Sequence, residues 1–253
     1  MKDRIYVATF AENAEDVIKR YGVNVEFNHI CISECLDPEK RDATIAEMKV
    51  CLEKTGSKNS IVHGPFTEII PGAIDHRAVE IGMDRLNEAY EVCYKLGVNK
   101  MVVHTGFVPL MYHKEWHLEK SKVFWKRFLE NKADDFELYI ENVFEDEPYL
   151  MKDLIDLVDD KRASICLDVG HANAMTTKEH TVEDWIEILG KRVKHIHIHN
   201  NDGTGDTHNS INQGSMDWKR VMEILDDHAA KGYTVTVESR QAEESVKLLL
   251  ESR

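Results

Sequence analysis

One pattern repeats eight times along the chain: a short run dense in Val and Ile, followed by a longer amphipathic stretch. The apolar runs occupy 4–10, 24–30, 60–66, 100–106, 137–143, 164–170, 193–200 and 234–239. They carry few polar residues, as parallel strands covered on both faces do. Amphipathic stretches lie between them, at 38–56, 75–97, 118–132, 148–160, 182–190, 216–231 and 242–252. In the second of these, Val79, Gly82, Leu86, Tyr90 and Cys93 share one helical stripe. Asp37-Pro38, Thr181 with Asp184, and Ser215 read as helix starts, and Gly56, Gly97, Gly190 and Gly232 as stops. Eight such units in 253 residues match an α/β fold of the (β/α)8 barrel type, eight parallel strands inside a ring of helices. The competing open, doubly wound sheet usually carries glycines after its first strand. Here that place reads Ala11-Glu12-Asn13-Ala14. With no linker-like segment, residues 1–253 are expected to form a single barrel domain.

Composition narrows the setting. No apolar run approaches the ~20 residues of a membrane span, and the run Ile5-Tyr6-Val7-Ala8 is too short for a signal peptide, so a cytoplasmic protein is expected. The 32 Lys+Arg against 46 Asp+Glu give a net charge of −14, which weighs against a nucleic-acid footprint. The five cysteines form no CxxC pair and read as reduced, mostly buried thiols.

The strand ends are where chemistry is expected, because a barrel of this kind presents its functional groups at the C-terminal ends of its strands. Strands three to eight end in His63-Gly64-Pro65-Phe66, His104-Thr105-Gly106, Glu141-Asn142, Asp168-Val169-Gly170-His171, His199-Asn200-Asn201-Asp202 and Glu238-Ser239. A lone strand-end histidine is usually a hydrogen-bonded core residue, but six polar intrusions at equivalent positions are hard to attribute to packing. Carboxylates and imidazoles converging on a dry rim call for a divalent cation between them. His195 and His197 share the inward face of the seventh strand with His199, and only His199 is expected near the rim, the other two forming a hydrogen-bonded interior layer or supporting the ligands from behind. Asp206-Thr207-His208, on a loop punctuated by Gly203 and Gly205, is first a turn; it also offers two ligands that could join His171 around a further ion. His113-x-Glu115-x-His117 has its glutamate misplaced for a zinc helix motif, and its histidines are expected at the surface.

Over essentially its whole length the sequence resembles the xylose-isomerase-like TIM-barrel superfamily, which includes sugar and sugar-phosphate isomerases and epimerases and the endonuclease IV family. The most specific pieces are Leu167-Asp168-Val169-Gly170-His171 and His199-Asn200-Asn201-Asp202…Asp206-Thr207-His208…Gly214. In the epimerase branch the resemblance implies one metal held by Glu141, Asp168, His199 and Glu238, with the two glutamates also acting as an acid/base pair. In the endonuclease branch it implies two more ions, one on His63 and His104 with Glu141 bridging, the other on His171, Asp206 and His208.

Two chemistries follow from that resemblance. One is a Mn2+- or Zn2+-dependent isomerase or epimerase of a small sugar or sugar phosphate, with Glu141 and Glu238 moving the proton and histidines such as His171 steering protons among the oxygens. The other is an endonuclease IV-like phosphoesterase with up to three ions, acting on a small phosphate ester or abasic DNA, where Phe66 could stack on a base. The arginine that sugar epimerases often place shortly after the seventh-strand histidine is missing around Gly205. Phosphate recognition would then fall to Arg240, Lys178 or backbone amides. The acidic charge and short chain favour a small metabolite; a homo-oligomer stays open.

Overall fold

Each strand pairs in parallel with the next, and the eighth returns to the first. In the computed structural model, which describes residues 2–177 and 179–252, the order β1-β2-β3-β4-β5-β6-β7-β8 closes a barrel. The strands are β1 (Ile5–Ala8), β2 (Asn24–Phe27), β3 (Ser60–His63), β4 (Lys100–His104), β5 (Glu137–Glu141), β6 (Ala163–Asp168), β7 (Val193–Ile198) and β8 (Thr234–Val237). Around them lie α1 (Ala14–Tyr21), α2 (Pro38–Thr55), α3 (His76–Leu96), α4 (Lys114–Leu129), α5 (Tyr149–Val158), α6 (Val169–Met175), α7 (Val182–Leu189), α8 (Trp218–His228) and α9 (Ala242–Glu251).

The period of two along a strand divides the core. Val62, Val103, Ile140, Leu167, Ile196, Ile198 and Val237 belong to the large apolar layer between sheet and helices. Tyr6, Ile61, Val102, Tyr139 and Cys166 form a separate small cluster, the plug inside the barrel. Two residues beyond Ile61, Val102, Tyr139 and Cys166 on the same faces come His63, His104, Glu141 and Asp168. The apolar plug is therefore the floor on which the polar residues stand.

Every strand stops two or three residues short of its expected end, because the ladder gives out where the rim begins; His63, His104, Glu141 and Asp168 are each the last residue of a strand. Helices α1 and α6 were not legible in the apolar pattern, and α6 begins directly after Asp168, whose carboxylate accepts from the His171 amide. Thr181 and Asp184 form the expected capping box. Ser215 does not start α8: Asp217 does, accepting from the Lys219 and Arg220 amides. Gly56 and Gly97 close their helices in the left-handed region, whereas α8 ends at His228, well before Gly232. The surface assignment of His117 is also overturned. Helix α4 starts at Lys114, so helical spacing turns His117 inward with Ser121, Phe124 and Phe128, fully buried, while His113 is exposed. The five cysteines are free thiols, four of them buried. No helix among the described residues is long and apolar enough to cross a membrane.

Candidate active site at the barrel rim

All nine residues singled out at the strand ends and in the β7–α8 loop meet at one end of the barrel. Glu141 is the hub. Its Oε2 lies 3.2 Å from His63 Nε2 and 3.5 Å from His104 Nε2, and its Oε1 3.3 Å from His197 Nδ1 and 3.4 Å from His171 Nδ1. His197 Nδ1 is also 3.4 Å from Glu238 Oε1 and 3.9 Å from Asp168 Oδ2. Around the edge, Asp206 lies 3.3 Å from His171 Nε2, 3.1 Å from His208 Nε2 and 3.5 Å from His199 Nε2.

At the rim the donors fall into three groups whose ligand atoms lie within 4.8 Å of one another: His63–His104–Glu141, Glu141–Asp168–His197–Glu238, and His171–His199–Asp206–His208. His197, fully buried, belongs both to the second group and to interior groups with Cys166 and His195 and with Glu26 and His63. His199 stands between the second and third, its Nε2 3.2 Å from Asp168 Oδ1.

The donor set fits divalent cations on two grounds. First, Asp168 Oδ2, His197 Nδ1 and both ring nitrogens of His199 are buried without hydrogen-bond partners. Orphaned polar atoms at this density are costly unless an ion completes them. Second, backbone carbonyls fix three of the rings. Gly64 O lies 3.0 Å from His63 Nδ1, Asn142 O 2.9 Å from His171 Nδ1, and Glu238 O 2.8 Å from His208 Nδ1. A carbonyl only accepts, so Nδ1 donates in each ring and Nε2 is free to face inward, the usual outer support of a metal-ligating imidazole.

The electrostatics separate the two glutamates. Burial acts to raise Glu141, but the imidazoles of His197 and His104 outweigh it and hold the carboxyl well below its usual range. Glu238 is raised by burial, with the Glu141 and Asp168 charges adding to it against His197. Burial pushes His104 down to about 3. None of the described ion pairs of Glu141, Asp168, Asp206 or Glu238 involves Lys or Arg, so imidazoles alone offset these carboxylates. Arg240 is exposed, and Lys178 lies outside the described residues.

Aromatic rings wall the site. Phe66 stacks on His104 at 4.5 Å and 12°, and Phe10 meets His208 edge-on at 5.5 Å. Sequence reasoning missed Phe10, Glu26 and Glu145. Glu145 accepts from the Thr105 hydroxyl and the Val143 amide, holding the loops after β4 and β5 together. Glu26 was visible as the one charge within Val25-Glu26-Phe27, but its partners, His195 and His197, lie far along the chain.

A (β/α)8 barrel with its polar site on the strand ends defines the class. The profile of the xylose isomerase-like TIM barrel family matches residues 19–252, and the chain belongs to that family. An uncharacterised protein of Methanocaldococcus jannaschii is 26% identical over 200 residues, 74% of this chain and 66% of that one. The fructoselysine 3-epimerase of Shigella flexneri is 25% identical over 151 residues, 54% and 53% of the two chains. The chain thus spans less than two thirds of these relatives' length. Among solved structures, a D-tagatose 3-epimerase-like protein superposes with a TM-score of 0.80 at 21% identity, over 98% of this chain and 96% of that one. A Thermus thermophilus protein soaked with ZnCl2 gives 0.74 at 20%, over 100% and 98%. D-allulose 3-epimerase from a Methylomonas species, in complex with D-allulose, gives 0.78 at 16%, over 100% and 98%.

Proposed function

We propose that the protein is a divalent-metal-dependent isomerase or epimerase acting on a small carbohydrate. The observation that carries this reading is the pair Glu141 and Glu238: two buried carboxylates facing one donor group, with environments that push their protonation in opposite directions. Glu141, held ionised by its imidazoles, takes the proton from the substrate carbon. Glu238, biased toward its protonated form, delivers one to that carbon. A Mn2+ or Zn2+ ion held by Glu141, Asp168, Glu238 and the His197–His199 edge would acidify that carbon-bound hydrogen through the adjacent substrate oxygens. Phe66 and Phe10 flank the place of the substrate beside His104 and His208, and His171 steers protons among the oxygens. Among the described residues no Lys or Arg pairs with the rim carboxylates, which supports an unphosphorylated sugar, and the epimerase names among the similar proteins support the reaction class.

Incubation with ketoses and Mn2+ in D2O tests this reading. Solvent deuterium should enter the carbon beside the carbonyl, and Glu238→Gln should reduce that exchange by about 10²–10⁴-fold. Wild-type exchange in the variant would sink the mechanism.

A second reading, phosphoester hydrolysis with up to three ions, is favoured by the sharing of Glu141 between two donor groups and by the third group beside them. Metal content separates the two. One ion per chain supports the epimerase; two or three Zn2+, with cleavage of a phosphodiester, supports the hydrolase.

A further inference from the structure

The ladder between β5 and β6 ends early. Its last pair is Glu141 with Cys166, two residues short of Asp168. Val143, which that register would set opposite Asp168, turns aside, its amide donating to Glu145 Oε2 at 2.6 Å. Asp168 is fully buried, and backbone N–H and C=O groups left open in such a place are costly. The side chain of Asn142, itself buried, takes both. Its Oδ1 accepts from the Asp168 amide at 2.9 Å, and its Nδ2 donates to the Asp168 carbonyl at 3.0 Å. These partners leave one orientation for the carboxamide, since a backbone amide only donates and a backbone carbonyl only accepts.

Asn142 thus adds a rung to the ladder with a side chain, at the point where Asp168 leaves the strand and caps α6. Within that frame the Asp168 carboxylate has little freedom. Its Oδ1 accepts from the His171 amide at 2.6 Å, and its Oδ2 is buried without a hydrogen-bond partner among the described residues. That second oxygen lies toward the central donor group, 3.9 Å from His197 Nδ1. The carbonyl of Asn142 lies 2.9 Å from Nδ1 of His171, a member of the neighbouring group. One residue therefore follows Glu141 in the chain, holds the main chain of Asp168 and touches the ring of His171.

We propose that Asn142 is a positioning residue for the metal site: its carboxamide stands in for the missing strand, fixes Asp168 and so presents Oδ2 to an ion shared with Glu141 and Glu238. This rests on the metal-binding half of the function proposed above and not on the sugar chemistry. Asn142 touches no reacting atom and acts through Asp168. A leucine in its place fills the space but leaves both backbone groups of Asp168 unpaired, so the carboxylate loses its fixed place. Asn24 supplies the comparison. It too is a buried clamp, with Nδ2 donating to Asp3 O at 3.0 Å and Oδ1 accepting from the Asn59 amide at 3.1 Å. It opens β2, at the opposite end of the barrel.

Calorimetric titration of Zn2+ into metal-free wild type, Asn142→Leu and Asn24→Leu tests the proposal, with melting measured for each. Both variants should melt below wild type. Only Asn142→Leu should lose Zn2+ affinity, by about 10–100-fold, and its Co2+-loaded form should show shifted visible bands. Wild-type affinity in a folded Asn142→Leu, or an equal loss in Asn24→Leu, overturns the positioning role. A second measurement needs no variant and stands even if Asn142→Leu does not fold. In triple-resonance spectra of metal-free wild type, the Asn142 side-chain amide should exchange slowly with solvent; exchange as fast as in an exposed carboxamide overturns the clamp. Wild type that takes up no Zn2+ or Mn2+ sinks the metal-dependent function and the positioning role with it. Zn2+ uptake that Asn142→Leu leaves unchanged refutes the positioning role alone.

Discussion

His208 shows how much a single side chain at this rim depends on its neighbours. Burial works against its charge, yet the hydrogen bond to Asp206 and the Glu238 carboxylate carry it from 6.5 up to about 9. A histidine raised on folding contributes stability that is fully present below its unfolded value and lost as pH rises through the folded one. In chelator-treated protein, the melting difference between wild type and His208→Gln should therefore shrink between pH 6.5 and about 9. A gap that stays constant across that window would show that the pair carries no proton-linked stability. The same proton must leave before Nε2 can ligate, so metal uptake at this edge should strengthen with pH over the same range.

At the scale of elements, the turn from β6 into α6 and the β7–α8 loop set the geometry. Gly170, in the first turn of α6, lies so close to the His199 ring that an added Cβ would overlap it. Alanine there gains about 1 kcal/mol of helix propensity but must displace the imidazole. Gly170→Ala is expected to weaken Zn2+ binding at least about tenfold with little loss of melting temperature; wild-type affinity would mean that the ring can yield without consequence. The β7–α8 loop is held more firmly than its glycines suggest. Asn200 pairs with Asn209 through the backbone. Its side chain donates to Ile211 O and Met216 O and accepts from the Asn201 and Met216 amides. Asn200→Ala leaves those groups unpaired, which should cost about 2–4 kcal/mol and speed amide exchange across residues 200–216. Unchanged exchange would place the loop's rigidity elsewhere.

For the whole molecule, the rim concentrates carboxylates that pair with no Lys or Arg among the described residues, in a chain of net charge −14, so cation binding should be tied to global stability. Free ion at 100 times its Kd stabilises by about 2.7 kcal/mol. At roughly 2–4 °C per kcal/mol for a chain of this size, melting should rise by about 5–11 °C with Mn2+ or Zn2+ and fall back with chelator. A shift below about 1 °C with either ion would remove the metal from the proposed function.

The barrel was legible in the sequence because strands buried on both faces must be apolar throughout, and eight such runs with amphipathic spacers leave few other ways to bury them. The strand-end residues His63, His104, Glu141 and Asp168 were legible for the same local reason: each interrupts its apolar run two or three residues before the run ends. Helix α6 was not, since Val169-Gly170-His171 continues an apolar strand as readily as it starts a helix. The burial of His117 turned on where α4 begins. The sequence by itself determined the fold and the list of polar residues at the strand ends, through periodicities that act over a few residues. Only the tertiary structure decided which donors share a group, that His197 reaches the rim group with Glu141 and Glu238, and that Glu26 faces it from the opposite side of the barrel interior. Those relations join residues about 170 positions apart, as Glu26 and His195 are. They depend on the register with which the eighth strand closes on the first, which no local pattern encodes.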